Sequence, residues 1–160
     1  MSLLTSVHVA LSLVGIAAGF VVLFGLLAGR LLGKWNSLFL VTTIATSVTG
    51  FFFPFHGVTP GIVVGVLSLI VLAIALLALH SKRLEGAWRK VYVITAMIAL
   101  YFNVFVLIVQ LFEKVPALHA MAPTQSESPF KMAQGGNLVL FVVLTIIATM
   151  RFARPRLRVD

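Results

Sequence analysis

The sequence between residues 61 and 80 reads GIVVGVLSLIVLAIALLALH and contains no lysine, arginine, aspartate or glutamate. About 20 apolar residues, each rising about 1.5 Å, are enough for a helix to cross a hydrocarbon core of about 30 Å. An unpaired backbone amide in lipid costs several kcal/mol, so a segment that crosses the core must be helical. This segment is therefore predicted to be a transmembrane helix.

Four more apolar segments flank it, at about residues 7–28, 36–53, 91–112 and 134–150. The composition agrees, because 61% of the 160 residues are hydrophobic and 10% are charged, whereas soluble domains carry about 25% charged residues. A soluble globular fold is thereby excluded. We predict one membrane domain over residues 1–160, an all-α bundle of five transmembrane helices.

The charges between these segments alternate along the chain. Ten of the twelve lysines and arginines fall in the connections at 29–35 and 81–90 and in the tail at 151–160, whereas 55–60 has none and the long connection at 113–133 has two. Short loops rich in lysine and arginine stay cytoplasmic. The N-terminus is therefore predicted outside and the C-terminus inside. This opposite placement of the two ends requires an odd number of spans, in agreement with five. The first segment is predicted to be a retained helix rather than a signal peptide, because no cation precedes it.

Two of these stretches have features beyond topology. The outer loop at 113–133 contains three prolines and the apolar residues Leu118, Met121 and Phe130, so we expect it to lie on the bundle mouth or the outer headgroups. The basic cytoplasmic tail at 151–160 is expected to rest on anionic headgroups of the lipid bilayer rather than to bind nucleic acid.

Small residues recur four positions apart in two segments. Gly15 and Gly19 form such a pair in the first segment, and Gly61 and Gly65 form one in the third. This spacing lets two helix backbones approach closely. We expect these pairs to serve helix packing within one bundle, and the alternative is a dimer face.

Polar residues follow one stripe of the fourth segment, where Tyr92, Asn103 and Gln110 fall within roughly 20° of each other on a helical wheel. The second segment carries hydroxyl groups, of which Thr42 and Thr46 share a face. A buried amide needs partners inside the bundle, so Asn103 is predicted to face the hydroxyls of the second helix or the glycine face of the first. These side chains form either a structural tie or a seam that binds a ligand.

Three of the four histidines, His8, His56 and His119, map to the outer side in this topology. Imidazoles can bind zinc, copper or haem, but these three have no regular spacing. We therefore expect separate interfacial histidines and no cofactor, with a metal or haem site as the alternative. The absence of cysteine excludes disulfides and thiolate metal sites.

The four acidic residues lie outside every predicted span, and no spaced nucleophile, base and acid, no HExxH and no phosphate-binding loop is present. The chain is therefore predicted not to be an enzyme. Proton-driven transport is also disfavoured, because such carriers usually hold the proton on an intramembrane carboxylate or histidine.

Three stretches are distinctive: ATSVTGFFFPF at 45–55, ALYFNVFVLIVQLF at 99–112, and KVPAL at 114–118 together with APTQSE at 122–127. They resemble a group of small, uncharacterised multi-pass inner-membrane proteins of bacteria. The resemblance spans most of the chain. It implies a bacterial inner membrane and no particular mechanism.

Three functions follow as hypotheses. The first is a non-enzymatic binding or accessory component that self-associates or joins another membrane protein, since 160 residues leave little outside the membrane. The second is a transporter for a small solute or lipid-like ligand along the polar residues of the second and fourth helices. The third is a redox module that holds haem or a quinone at the outer face.

Overall fold

The computed structural model describes residues 3–54 and 60–153, and these ranges contain helices and connections without a strand. An 18-residue helix or longer forms at each predicted position except the third, where a 17-residue helix continues into a π-helical turn. The elements are α1 (Leu3–Leu27), α2 (Gly33–Gly50), α3 (Pro60–Leu76) with its π-helical turn (Leu77–Ser81), α4 (Trp88–Lys114), α5 (Pro116–Met121) and α6 (Ser128–Phe152).

Four helices in the described ranges are long and apolar enough to cross a membrane: α1, Gly61–Ser81, α4 and α6. The all-helical, membrane-compatible character of the chain is thus confirmed. The fifth predicted span, α2, has 18 residues but is more polar, because Lys34 and Asn36 lie near its start and five serine and threonine residues occupy its second half.

Four long helices form a ring in which α1 packs on α2, α2 on α3, α3 on α4 and α4 on α1. Outside the ring, α6 packs against α4 and α1, and α5 packs against α4. Most of the α6 surface is left exposed, including Val139 at 64% and Met150 at 56%. That apolar exposure suits contact with lipid tails.

One end of the bundle collects most of the described cations, and we call it the basic end. The α1–α2 connection meets the end of α6 there, since Arg151 Nη1 donates to the carbonyl of Leu27 over 3.1 Å. The start of α4 joins them, with the Arg89 guanidinium 4.9 Å from the ring centre of Phe152. At this end α1 ends at Leu27, and Gly29 in the turn that follows has a φ of 70°, which suits a residue without a Cβ.

The half of the ring near the basic end is filled with side chains. Leu26, Phe39, Leu72, Tyr92 and Leu100 are each at most 1% exposed and belong to one cluster. Within it, the Tyr92 hydroxyl donates a hydrogen bond to Asn36 Oδ1. Because lipid removes the hydrophobic drive between helices, such close packing and internal hydrogen bonding hold the bundle together.

The glycines of α1 lie inside this packing. A Cβ added at Gly19 would lie 2.5 Å from Leu100 Cδ1 and 3.0 Å from Phe39 Cδ2, and one at Gly15 would lie 3.1 Å from Thr42 Oγ1. The first small-residue pair therefore meets α2 and α4 of the same chain. In the second pair, a Cβ at Gly65 would lie 3.2 Å from Phe51 Cζ.

The helix ends differ most from expectation at the outer loop. The sixth helix begins at Ser128 rather than near 134, and the short α5 occupies 116–121. Both helices have a proline in their first turn, where its fixed φ and missing N–H are favourable. The polar run QGGN at 134–137, which obscured the start in the sequence, lies inside α6.

Candidate ligand cavity

Among the described residues, the half of the ring away from the basic end is open rather than filled. A cavity of about 600 Å³ lies there between α1, α2, α3 and α4. The volume falls in the range of small-molecule sites, about 300–1,000 Å³. Its polar lining consists of His8, Ser12, Thr46, Ser47, Ser68, Asn103, Gln110 and Glu113, and its aromatic lining consists of Phe51, Phe53 and Phe102.

Asn103 lies on the α4 wall of this cavity and is 9% exposed. Its Nδ2 donates a hydrogen bond to Thr43 Oγ1 on α2 over 3.1 Å. The prediction that Asn103 faces the hydroxyls of the second helix is thus confirmed. The amide carries two N–H groups and a carbonyl oxygen, so this single bond leaves part of its capacity for the cavity.

The hydroxyls of α2 divide into two kinds. Three of them donate to a carbonyl one turn back, as Thr42 does to Leu38 over 2.7 Å and Ser47 does to Thr43 over 3.0 Å. Such back-bonding lets a hydroxyl lie inside a membrane helix at little cost. The Thr46 hydroxyl differs, because it is buried and has no hydrogen-bond partner in the described ranges.

The three residues of the predicted stripe on α4 lie in different surroundings. Tyr92 is fully buried in the filled half and does not line the cavity. Asn103 lies on the cavity wall, and Gln110 lies farther along the cavity, where its Nε2 donates to Glu113 Oε2 over 3.3 Å. Thr42 likewise packs against Gly15 and stays out of the lining. The cavity therefore receives Thr46, Asn103 and Gln110 of the predicted seam.

His8 is the one predicted histidine that lines the cavity within the described ranges. Its Nδ1 lies 2.9 Å from Thr49 Oγ1, and its ring meets that of Phe53 edge-on at 5.1 Å between centres. Its membership of this wall was not predicted, because a lone histidine in the first segment carries no spacing signal.

The three outer histidines are not shown together. His119 is exposed on α5 and does not line the cavity, and His56 lies outside the described residues. In residues 3–54 and 60–153, no group of three histidine, aspartate or glutamate side chains is placed to hold a metal ion. Of the glycines predicted for helix packing, Gly61 and Gly65 line the cavity, whereas Gly15 and Gly19 do not.

Sequence reasoning missed two glutamines that bond to α4, Gln125 from the outer loop and Gln134 from α6. Gln125 Nε2 donates to the Val109 carbonyl and Gln134 Nε2 to the Phe105 carbonyl, each over 3.1 Å. Glutamine in an apolar context was the available signal, but its backbone partners are distant in sequence. These bonds position the loop beside the cavity end of α4 without placing it in the lining.

A compact turn precedes α6 in that loop. Thr124 Oγ1 and the backbone N–H groups of Thr124 and Ser126 donate to the Glu127 carboxylate. Desolvation acts to raise the pKa of the Glu127 carboxyl, but these hydrogen bonds outweigh it and hold the pKa below its ordinary value. The loop thus has its own ordered structure.

Comparisons with known proteins add no relative. A scan of protein families, a search of curated proteins and a search of solved structures each found no match.

Proposed function

We propose that this protein is a non-enzymatic integral membrane protein that binds a small, uncharged molecule in the cavity between α1 and α4. The observation that carries the proposal is the contrast between the two halves of the ring. Near the basic end the core is close-packed, whereas the described residues of the other half surround a partly open cavity of about 600 Å³ lined by polar and aromatic side chains. Packed interiors leave few voids larger than a water molecule, so this cavity has room for a ligand.

The lining favours an uncharged ligand. Among its described residues Glu113 is the only acid and there is no lysine or arginine, and the Glu113 side chain is exposed and bonded to Gln110. A charged group taken into an apolar site without a partner is costly. The rings of Phe51 and Phe102 offer apolar contact instead, and the hydroxyl and amide groups offer hydrogen bonds.

The proposal includes the setting of the protein. We propose five spans with the N-terminus outside and the C-terminus inside, in the inner membrane of a bacterium, where the bilayer is its first partner. Support comes from α2, which packs between α1 and α3, and from the clustered cations of the basic end. As an accessory component, the protein is proposed to associate with a second copy of itself or with another membrane protein. No nucleic-acid partner is proposed.

The two alternative functions, transport and a redox role, fit the cavity less well. A transport path would have to open the filled half, where Phe39, Leu72 and Tyr92 are at most 1% exposed, whereas binding needs no such opening. A redox role for haem would need axial ligands, and His8 is the only described histidine in the lining. A quinone is the part of that alternative that fits an uncharged cavity.

A photolabelling experiment in lipid vesicles tests the proposal. The uncharged probe 3-trifluoromethyl-3-phenyldiazirine is small enough for the cavity, and its attachment sites are mapped by peptide mass spectrometry. We expect label on lipid-facing α6 and, in addition, on lining residues such as Ser47 and Gly65. Val106→Trp, which places an indole in the cavity, should remove most of the lining label.

The matched control is Val139→Trp, the same change at a 64% exposed position on α6. It should leave the lining label intact. Label confined to lipid-facing surfaces, or lining label that Val106→Trp does not reduce, would contradict a ligand-accessible cavity.

A further inference from the structure

The hydrogen bonds of Thr49 favour one tautomer of the His8 ring. Thr49 Oγ1 lies 2.8 Å from the Ala45 carbonyl and 3.1 Å from that of Thr46, and its one proton can bond back to either. When it does, the same oxygen accepts from His8 Nδ1, 2.9 Å away. In that arrangement the neutral His8 ring carries its proton on Nδ1.

This tautomer determines whether Nε2, the other ring nitrogen, donates or accepts hydrogen bonds. With Nδ1 protonated, Nε2 holds a lone pair and accepts hydrogen bonds. Nδ1 is the ring nitrogen that has a described partner, and the ring forms part of the cavity wall beside Phe53 and Gly50. The α1 wall thus carries an acceptor on a ring that lines the cavity.

An occupant that matches this acceptor must bring a donor. The only carboxylate in the described lining, that of Glu113, already receives the Gln110 amide. Phe51 and Phe102 add aromatic surface nearby, and aromatic rings pair favourably with other rings. An uncharged molecule that satisfies both features carries a hydroxyl group on an aromatic ring.

We propose that the cavity selects a phenol- or quinol-type head group, whose O–H donates to His8 Nε2 while its ring packs among the phenylalanines. This inference rests on the proposed function and narrows it to one ligand class. Asn103 contributes the unused part of its amide from the α4 wall. Only binding is proposed, without electron transfer and without the formation or cleavage of a covalent bond.

Competition against the diazirine label tests the selection. The two competitors are 4-pentylphenol and 4-pentylanisole, which share a ring, a chain and an oxygen, but only the phenol can donate. We expect the phenol to protect the lining label at a concentration about tenfold lower than the ether, as one hydrogen bond gives. Label on α6 in the same sample corrects for any quenching by the competitor.

Two variants locate the effect. His8→Phe keeps an aromatic ring but removes the acceptor, so the phenol and the ether should then compete alike. His119→Phe is the matched control, since His119 is exposed on α5 outside the lining, and it should retain the tenfold difference.

The tautomer is measured directly by ¹⁵N NMR of histidine-labelled protein, with the His8 signals assigned by their loss in His8→Phe. A directly bonded proton on Nδ1 and none on Nε2 is the expected result, and a proton on Nε2 would overturn the inference. Equal competition by phenol and ether at a labelled cavity would also overturn it while leaving the proposed function intact. A cavity that takes no label would overturn both.

Discussion

Asn103 is where a single side chain carries both stability and access to the cavity. Its bond to Thr43 Oγ1 joins α4 to α2 across the ring. We expect Asn103→Leu to lower the free energy of unfolding in detergent by roughly 0.5–2 kcal/mol, the range for interhelical hydrogen bonds in membranes. Thermal unfolding followed by circular dichroism measures it.

A double-mutant cycle separates that bond from a general packing effect. Thr43→Val removes the acceptor while keeping the side-chain shape, so Asn103→Leu in that background should cost much less than in the wild type. Costs that simply add would contradict a direct tie between the two side chains. A loss of photolabel without loss of stability would instead assign Asn103 to ligand contact alone.

The sequence predicted that Asn103 faces inward but not what surrounds it. Helical spacing places Tyr92, Asn103 and Gln110 on one stripe, yet their partners are Asn36, Thr43 and Glu113. Two of these partners lie more than 50 positions away along the chain. Such pairs depend on how four helices are arranged, which the periodicity of one helix does not encode.

At the scale of helices, Gly19 on α1 is the described glycine at which an added Cβ would lie closest to a neighbouring helix. A Cβ there would meet Leu100 Cδ1 at 2.5 Å and the Phe39 ring at 3.0 Å. We expect Gly19→Ala to lower the free energy of unfolding by about 1–3 kcal/mol, as overpacking does in tight cores. The measurement is the unfolding midpoint in detergent.

The matched control is Gly136→Ala on α6, where an added Cβ meets nothing within 4 Å. That change should be neutral or stabilising by up to about 1 kcal/mol, because alanine favours a helix over glycine. Equal destabilisation by the two substitutions would mean that Gly19 does not serve close helix packing.

Helix existence and helix ends were predictable to different degrees. Long apolar segments predict α1, α3, α4 and α6, because a helix that crosses the bilayer must be both long and apolar. The start of α6 was obscured because QGGN at 134–137 resembles a loop. The cavity was not predictable either, since it arises where α1 to α4 leave space between them.

For the whole molecule, the decisive question is whether α2 crosses the membrane along with the four more apolar helices. Its position between α1 and α3 and the cations gathered at one end argue that it does. If so, successive connections alternate sides, and the end that contains Arg30, Arg89 and Arg151 is cytoplasmic by the bias of lysine and arginine.

Reporter fusions in a bacterial host measure this arrangement. A reporter fused after Asp160 should be cytoplasmic, one inserted near Gln125 should be periplasmic, and one inserted at residues 55–60 should also be periplasmic. The last fusion isolates α2, because a chain in which α2 stays on one side would place 55–60 in the cytoplasm together with the α1–α2 connection. A periplasmic reporter after Asp160 would contradict the inside C-terminus and the five-span arrangement.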